Sequence, residues 1–228
     1  MSAKHLSQQL VAQPLFDAIS LAVVPVLAEE WLPAFLADFT RRCPGVKIRA
    51  TDQRSPQVRA MVADGLVDIG VAGSLAEDPK LTFRPIATDT FGVLCPRDHP
   101  LAKRRKPIPW SELEGEIVIG NDSMELLKGR GLGESIESPS LVVTSRASLM
   151  VCVKEGLGVT VVPLLTKAEK AFGLPFIPLV APRISRTMGV VTRRGQTLLP
   201  TVQRMYEMLV QSLRDYAKGQ GATLIKQS

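Results

Sequence analysis

Short apolar runs alternate with amphipathic stretches along most of this chain, and glycines mark the switches. Ile19 to Val24 is a continuous apolar run, the pattern of a buried strand. After a turn at Pro25-Val26-Leu27, the residues Leu32, Phe35, Leu36 and Phe39 recur at helical spacing. Glu29 and Glu30 place negative charge where that helix would start, and Arg41 and Arg42 place positive charge where it would end. Pro33 fits only in a first turn, so the regular helix is expected from about Trp31, and Pro44-Gly45 stops it. Val46 to Thr51 alternates as a second strand. Ser55-Pro56 reads as a helix start, with the hydroxyl at the cap and proline at the first helical position. That helix carries Val58, Met61 and Val62 and ends at Gly65, where Leu66 to Ala72 begins a third strand. The order β-α-β-α-β with right-handed crossovers predicts a parallel sheet.

The same unit returns about 90 residues later. Leu81 to Pro96 reads as a long extended crossover. Glu116 to Ile119 is a strand followed by a polar loop, Gly120 to Ser123, and Leu141 to Val143 is another strand. Ser145 then caps a helix bearing Leu149, Met150 and Val153, which stops at Gly156 before the strand Val159 to Val162. Asp64 to Gly73 and Lys154 to Pro163 are thus echoes of one pattern, which predicts two similar α/β lobes and a cleft that closes on a small ligand. Thr187 to Thr192 is the expected returning strand. Leu199 to Tyr216 is the last amphipathic helix, with Val202, Met205, Tyr206, Leu209 and Leu213 on one face. Residues 1–17 read as a tail or linker remnant in which Pro14 prevents a regular helix.

Composition narrows the class. Hydrophobic residues make up 45% of the 228, enough for real cores, yet no run reaches the roughly 18 residues needed to span a bilayer, so no membrane contact is expected. Ala18 to Ala28 imitates the apolar part of a secretion signal. Asp17 abuts it, the leader is not basic and Pro25 splits it, so a buried strand and a cytoplasmic location are expected instead. Cys43, Cys95 and Cys152 are odd in number and far apart, which argues for buried free thiols over disulfides or zinc. The 28 Lys and Arg against 22 Asp and Glu give a net charge of +6, compatible with nucleic acid nearby. The clusters Arg97, Lys103 to Lys106, Arg183, Arg186, Arg193 and Arg194 read as solvated loops and strand ends, and two Trp with two Tyr make no stacking platform.

No catalytic constellation emerges. His5 and His99 have no neighbours that suggest a triad or a metal site, and no Gly-x-Ser-x-Gly elbow occurs. Gly129-Arg130-Gly131-Leu132-Gly133 lacks the Lys-Ser/Thr ending of a phosphate loop and reads as a flexible connector. Glu29 and Glu30 are adjacent and so do not face one another on a helix; a dipole-favoured helix start accounts for them. No enzyme activity, metal or cofactor is expected. What remains are helix N-termini at the carboxyl ends of parallel strands, where exposed N–H groups attract anions. The candidate turns are Val24-Pro25-Val26, Arg54-Ser55-Pro56, Asn121-Asp122-Ser123 and Thr144-Ser145-Arg146.

Several motifs in order carry a family resemblance. They are Leu32-Pro33-x-Phe35-Leu36-x-x-Phe39, Cys43-Pro44-x-Val46, Gly65-x-x-Asp68-Ile69-Gly70-Val71, Asp89-x-Phe91, Cys95-Pro96-x-Asp98-His99-Pro100-Leu101-Ala102, Trp110-x-x-Leu113-x-Gly115, and Gly156-Leu157-Gly158-Val159 with Pro163. From about residue 19 to 214 the chain resembles the effector-binding (substrate-binding) domain of LysR-type transcriptional regulators. The resemblance implies an α/β fold of two Rossmann-like lobes joined by two crossover strands, as in type II periplasmic binding proteins. Lobe I would comprise 18–88 plus 194–217, lobe II 89–193, and 218–228 would be a C-terminal tail.

It also implies a small-molecule effector in the cleft, expected to be an organic anion, and a homo-oligomer, dimer or tetramer. The family's winged helix-turn-helix lies N-terminal to this domain. The chain has no room for it, so a truncated or stand-alone domain is expected, contacting DNA only through that missing part. The effector-binding set carried over is Val24, Pro25, Val26, Ser55, Asn121, Ser123, Thr144 and Ser145. Val24-Pro25-Val26 departs from the family by offering no hydroxyl, and Met124 to Ser138 is shorter and richer in glycine than the family's usual helix. The competing readings are a solute receptor of a transport system with the same bilobed fold, which would need Ala18 to Ala28 as a secretion signal, and an enzyme on this scaffold.

Overall fold

Strand β1 (Ala18–Val23) lies inside a sheet, parallel to a neighbour on each side, which is why its side chains are apolar on both faces. The computed structural model describes residues 18–74, 77–104, 106–166 and 172–226; the expected N-terminal tail, 1–17, lies outside them. The chain continues through helices α1 (Pro25–Glu30) and α2 (Leu32–Arg42), strand β2 (Lys47–Asp52), helix α3 (Ser55–Ala63) and strand β3 (Ile69–Gly73). The sheet order β2-β1-β3 is the predicted parallel arrangement. Phe35 and Phe39 of α2 and Val58 and Val62 of α3 pack with β1 and β3 into one core.

The first helix starts six residues earlier than the sequence pattern suggested. Pro25 opens α1, Trp31 breaks it from α2, and the Trp31 indole donates to Ser212 Oγ at 3.0 Å while its ring stacks on Phe35. Glu29 and Glu30 therefore end α1 and do not begin α2. The third strand starts at Ile69 and not at Leu66, because Asp68 is committed to Ser20: its carboxylate accepts the Ser20 N–H at 2.8 Å and hydroxyl at 2.6 Å.

Strand β4 (Leu81–Leu94) then crosses to the second lobe as one unbroken element. The chain there forms β5 (Ile108–Pro109), β6 (Ile119–Gly120), helix α4 (Glu134–Glu137), β7 (Leu141–Val142), helix α5 (Arg146–Lys154), β8 (Thr160–Pro163) and β9 (Phe176–Val180), and β4 pairs with β8 and β9. Alternation along β4 sends Phe91 and Val93 into one core and Leu94 into another on the opposite face. Strand β10 (Ser185–Arg193) runs back antiparallel to β4, and helix α6 (Pro200–Gly219) closes the first core with Val202, Met205, Leu209 and Leu213.

Two boundaries differ from the sequence reading. Met188, Val190 and Val191 of β10 already belong to the first core, so the chain returns there before residue 194. The segment 218–228 is not simply a tail: α6 extends to Gly219, strand β11 (Thr223–Leu224) pairs with β4 at Thr88 and Ala87, and the Ile225 N–H donates to Ile86 O. Ala18 to Ala28, the one segment that imitated a secretion signal, is β1 and most of α1.

A bulge sits where the two crossing strands leave the first lobe. Met188 faces Ala87 but Gly189 faces Pro85, leaving Ile86 as the extra residue. A side chain at Gly189 would run into the Arg84 carbonyl and lie 2.6 Å from the Phe83 ring. Gly189→Ala is expected to cost about 1–3 kcal/mol. The urea midpoint should fall with unchanged slope; an unchanged midpoint would mean that the strands part there freely.

Burial also pushes the Cys95 thiol up to about 11, with Glu116 and Asp98 adding to the shift. The neutral thiol is thus favoured in the folded chain. Its contribution to stability is complete below pH 9 and lost as the pH rises to about 11. Denaturation midpoints across that window should fall less steeply in Cys95→Ala than in the parent; parallel curves would contradict the assignment.

Candidate functional site

Helix α3 begins beyond the carboxyl end of β2. Its first-turn N–H groups have no side-chain cap, because the cap position is held by Arg54, whose side chain has no acceptor. Ser55 is the first helical residue, not the cap, and its Oγ accepts the Gly73 N–H at 3.0 Å, tying α3 to the end of β3. On the second lobe Asn121 anchors the loop after β6. Its amide donates to Thr160 Oγ1 and Val161 O, both at 2.9 Å, and its Oδ1 accepts the Ser123 N–H at 2.9 Å and the Ser123 hydroxyl at 2.5 Å. Ser145 caps α5 as predicted, accepting the Ser148 N–H at 3.4 Å.

These turns face one another across a cleft of about 530 Å³. Of the residues predicted from sequence, Val24, Pro25, Val26, Ser55, Asn121, Ser123 and Thr144 line it, and Ser145 does not. Val24 and Val26 are buried and supply an apolar wall, facing Leu149, Met150 and Val162 of the other lobe. The wall between Met124 and Ser138 is built by a short 3-10 segment, Asp122–Leu127, which brings Glu125 and Leu126 to the cleft. The glycine-rich run behind it is a cradle and not a loose connector. The Glu137 carboxylate accepts the N–H groups of Gly129, Arg130 and Gly131 at 2.8–3.1 Å, which holds its carboxyl below the usual range.

Three arginines at the cleft were not anticipated as site residues. Arg146, the first residue of α5, reaches across to the first lobe. Its guanidinium meets Glu29 at 2.5 Å and Glu30 at 2.7 Å and lies 5.8 Å from the centre of the Phe172 ring. Arg54 crosses the other way to Asp122 at 3.3 Å. Arg186, read from the sequence as a solvated strand end, is only 13% exposed and grips the fully buried Asp89 carboxylate. The signal for Arg146 was Glu29-Glu30 itself, two adjacent acids read as a helix start that the structure places at a helix end.

Among the described residues, no group of three His, Cys, Asp or Glu could hold a metal ion. His99 serves its own turn, its Nδ1 accepting the Leu101 N–H at 3.2 Å while Nε2 lies 3.3 Å from Glu116.

The interlobe ion pairs generate a graded expectation. Glu30, 22% exposed, should contribute more than Glu29, 49% exposed. Glu30→Gln should cost about 1–2 kcal/mol and Glu29→Gln under about 0.5 kcal/mol in urea denaturation, since solvent screening weakens exposed pairs. Equal effects, or none, would show that the lobes are held by the crossing strands alone.

Comparison with known proteins gives this geometry a context. A family model described as the LysR substrate binding domain matches residues 12–214. The uncharacterized HTH-type transcriptional regulator YbhD of Escherichia coli (strain K12) is 27% identical over 198 residues, covering 84% of this chain and 62% of that protein. The chain thus spans less than two thirds of that relative's length. The C-terminal domain of a probable LysR family transcriptional regulator from Rhodococcus sp. RHA1 has the same fold, with a TM-score of 0.72 at 19% identity over 86% of this chain and 98% of that one. The effector binding domain of QuiR in complex with shikimate gives 0.71 at 14% identity, over 88% and 97%. The fold is that of the type II periplasmic binding proteins.

Proposed function

Because the chain belongs to the LysR substrate-binding domain family, we propose that it is the effector-sensing domain of a LysR-type DNA-binding transcriptional regulator, and that its effector is a small organic anion held between the lobes. The observation that carries this reading is the interlobe cleft. It joins the uncapped N-terminus of α3 to apolar walls from both lobes, a combination suited to an acid with an apolar body. Val24, Pro25 and Val26 are assigned to the apolar body. Ser55, Ser123 and Thr144 are assigned to polar contacts. Asn121 acts through Ser123, and Ser145 acts by setting the start of α5.

The regulatory step follows from the two-lobed build. An effector with different affinity for two lobe arrangements shifts their populations, and an oligomer of such domains, dimer or tetramer, passes the change to DNA through a separate DNA-binding part. Regulators of this kind act in the cytoplasm. Among the described residues no helix is long and apolar enough to cross a membrane. The solute-receptor alternative loses its support, since the segment it needed as a secretion signal forms β1 and α1 of the first lobe.

A thermal-shift screen of organic acids tests the proposal. An acid at about 100 times its Kd stabilises by about 2.7 kcal/mol, roughly 5–10 °C for a chain of this size. Ser55→Ala should lose most of that shift. A shift that survives in Ser55→Ala places the acid elsewhere, and no shift across the screen contradicts the anionic effector.

A further inference from the structure

The polar groups at the cleft have proton directions that their other partners fix. Val161 O can only accept and the Ser123 N–H can only donate, so the Asn121 amide is oriented with Nδ2 on Val161 and Oδ1 on Ser123. Thr160 Oγ1, which accepts from Asn121, donates onward to Ile119 O at 2.7 Å. Asn121 Oδ1 carries no proton, so the Ser123 hydroxyl gives its own to it. What Ser123 retains for the cleft is lone pairs, and Ser123 is an acceptor there.

Ser55 is the reverse case. The Gly73 N–H can only donate, so Ser55 Oγ accepts, and its proton remains for the cleft. The neighbours of Ser55 reinforce its sense. Beside Ser55 stand the uncapped first-turn N–H groups of α3, which are donors. The carboxylates of Asp122 and Glu125 beside Ser123 are engaged by Arg54 at 3.3 Å and Lys128 at 2.6 Å, so the accepting sense on that wall rests on Ser123 itself. Arg54, Arg146 and Arg186 each pair with a carboxylate of the protein, although Arg146 Nε is buried without a hydrogen-bond partner, so the polarity argued here is that of the two hydroxyls.

We propose that the effector is a carboxylic acid that also bears a hydrogen-bond-donating group, a hydroxyl or an amine, away from the carboxylate. The acid binds at Ser55 on the first lobe, the donor binds at Ser123 on the second, and the body between them packs on Val26, Leu149 and Met150. Such a ligand is bound by both walls only when the lobes are together, whereas a simple acid satisfies one wall alone. This specificity rests on the reading of the cleft as the effector site.

Two matched series test it by calorimetry: benzoate, 3-hydroxybenzoate and 3-methoxybenzoate, and hexanoate, 6-hydroxyhexanoate and 6-methoxyhexanoate. In at least one series the hydroxy acid should bind about tenfold tighter than both its parent and its ether, the fold-change of one net hydrogen bond. Ser123→Ala should bring the three within about threefold, and Ser55→Ala should weaken all of them. The comparison within each series in the unsubstituted protein needs no variant to fold. Parents or ethers that bind as well as the hydroxy acids overturn the donor assignment and leave the cleft reading standing. Binding unaffected by Ser55→Ala overturns the cleft reading itself. No binding by any of the six overturns the acid assignment.

Discussion

The Asp89 carboxylate is buried at the point where the chain passes between its lobes, and it joins three segments there. Arg186 holds it at 3.0 Å from the facing strand, and the Leu165 N–H donates to it at 3.0 Å from the turn that follows β8. One charged group therefore ties both crossing strands to the second lobe. Leaving such a charge unpaired in the interior typically costs 3–5 kcal/mol, which makes the pairing a strong constraint on where the strands and that turn sit. Arg186 lines the cleft as well, so one residue belongs both to the crossing and to the site.

From that fixed crossing the two lobes present unequal walls. A β-α repeat read as two equivalent half-sites would offer hydroxyls and helix ends from each side alike. The side chains have been committed differently. Ser145 closes the end of its own helix, and Asn121 and Ser123 are locked to each other and to β8. Ser55 is bound to Gly73 and leaves its helix end open. The Ser55 hydroxyl of the first lobe is left to donate and the Ser123 hydroxyl of the second is left to accept, an asymmetry that backbone duplication alone does not contain.

The elements legible in the sequence are those whose cause is local. The apolar run of β1, the Ser145 cap and the Gly156 stop depend on neighbours within a few residues, and each forms where the pattern placed it. Short strands without a pattern were not legible: β9 holds Pro178 at its centre, and β11 is two residues long. Side chains whose partners are distant in sequence were misread for the same reason. Glu29 and Glu30 looked like a helix start because Arg146 lies more than a hundred positions away, and Arg186 looked solvated because Asp89 is on another strand. The candidate contacts were legible as turns at strand ends, but the direction in which each hydroxyl donates depends on tertiary contacts.

The most direct measurement is a crystal structure of the chain with an acid selected by the thermal-shift screen. The account predicts density between the lobes, with the carboxylate in hydrogen-bond reach of Ser55 Oγ and the N-terminus of α3, and with the Asn121–Ser123 pair intact. Density on the outer face of either lobe, or a carboxylate seated on Ser123, would contradict it.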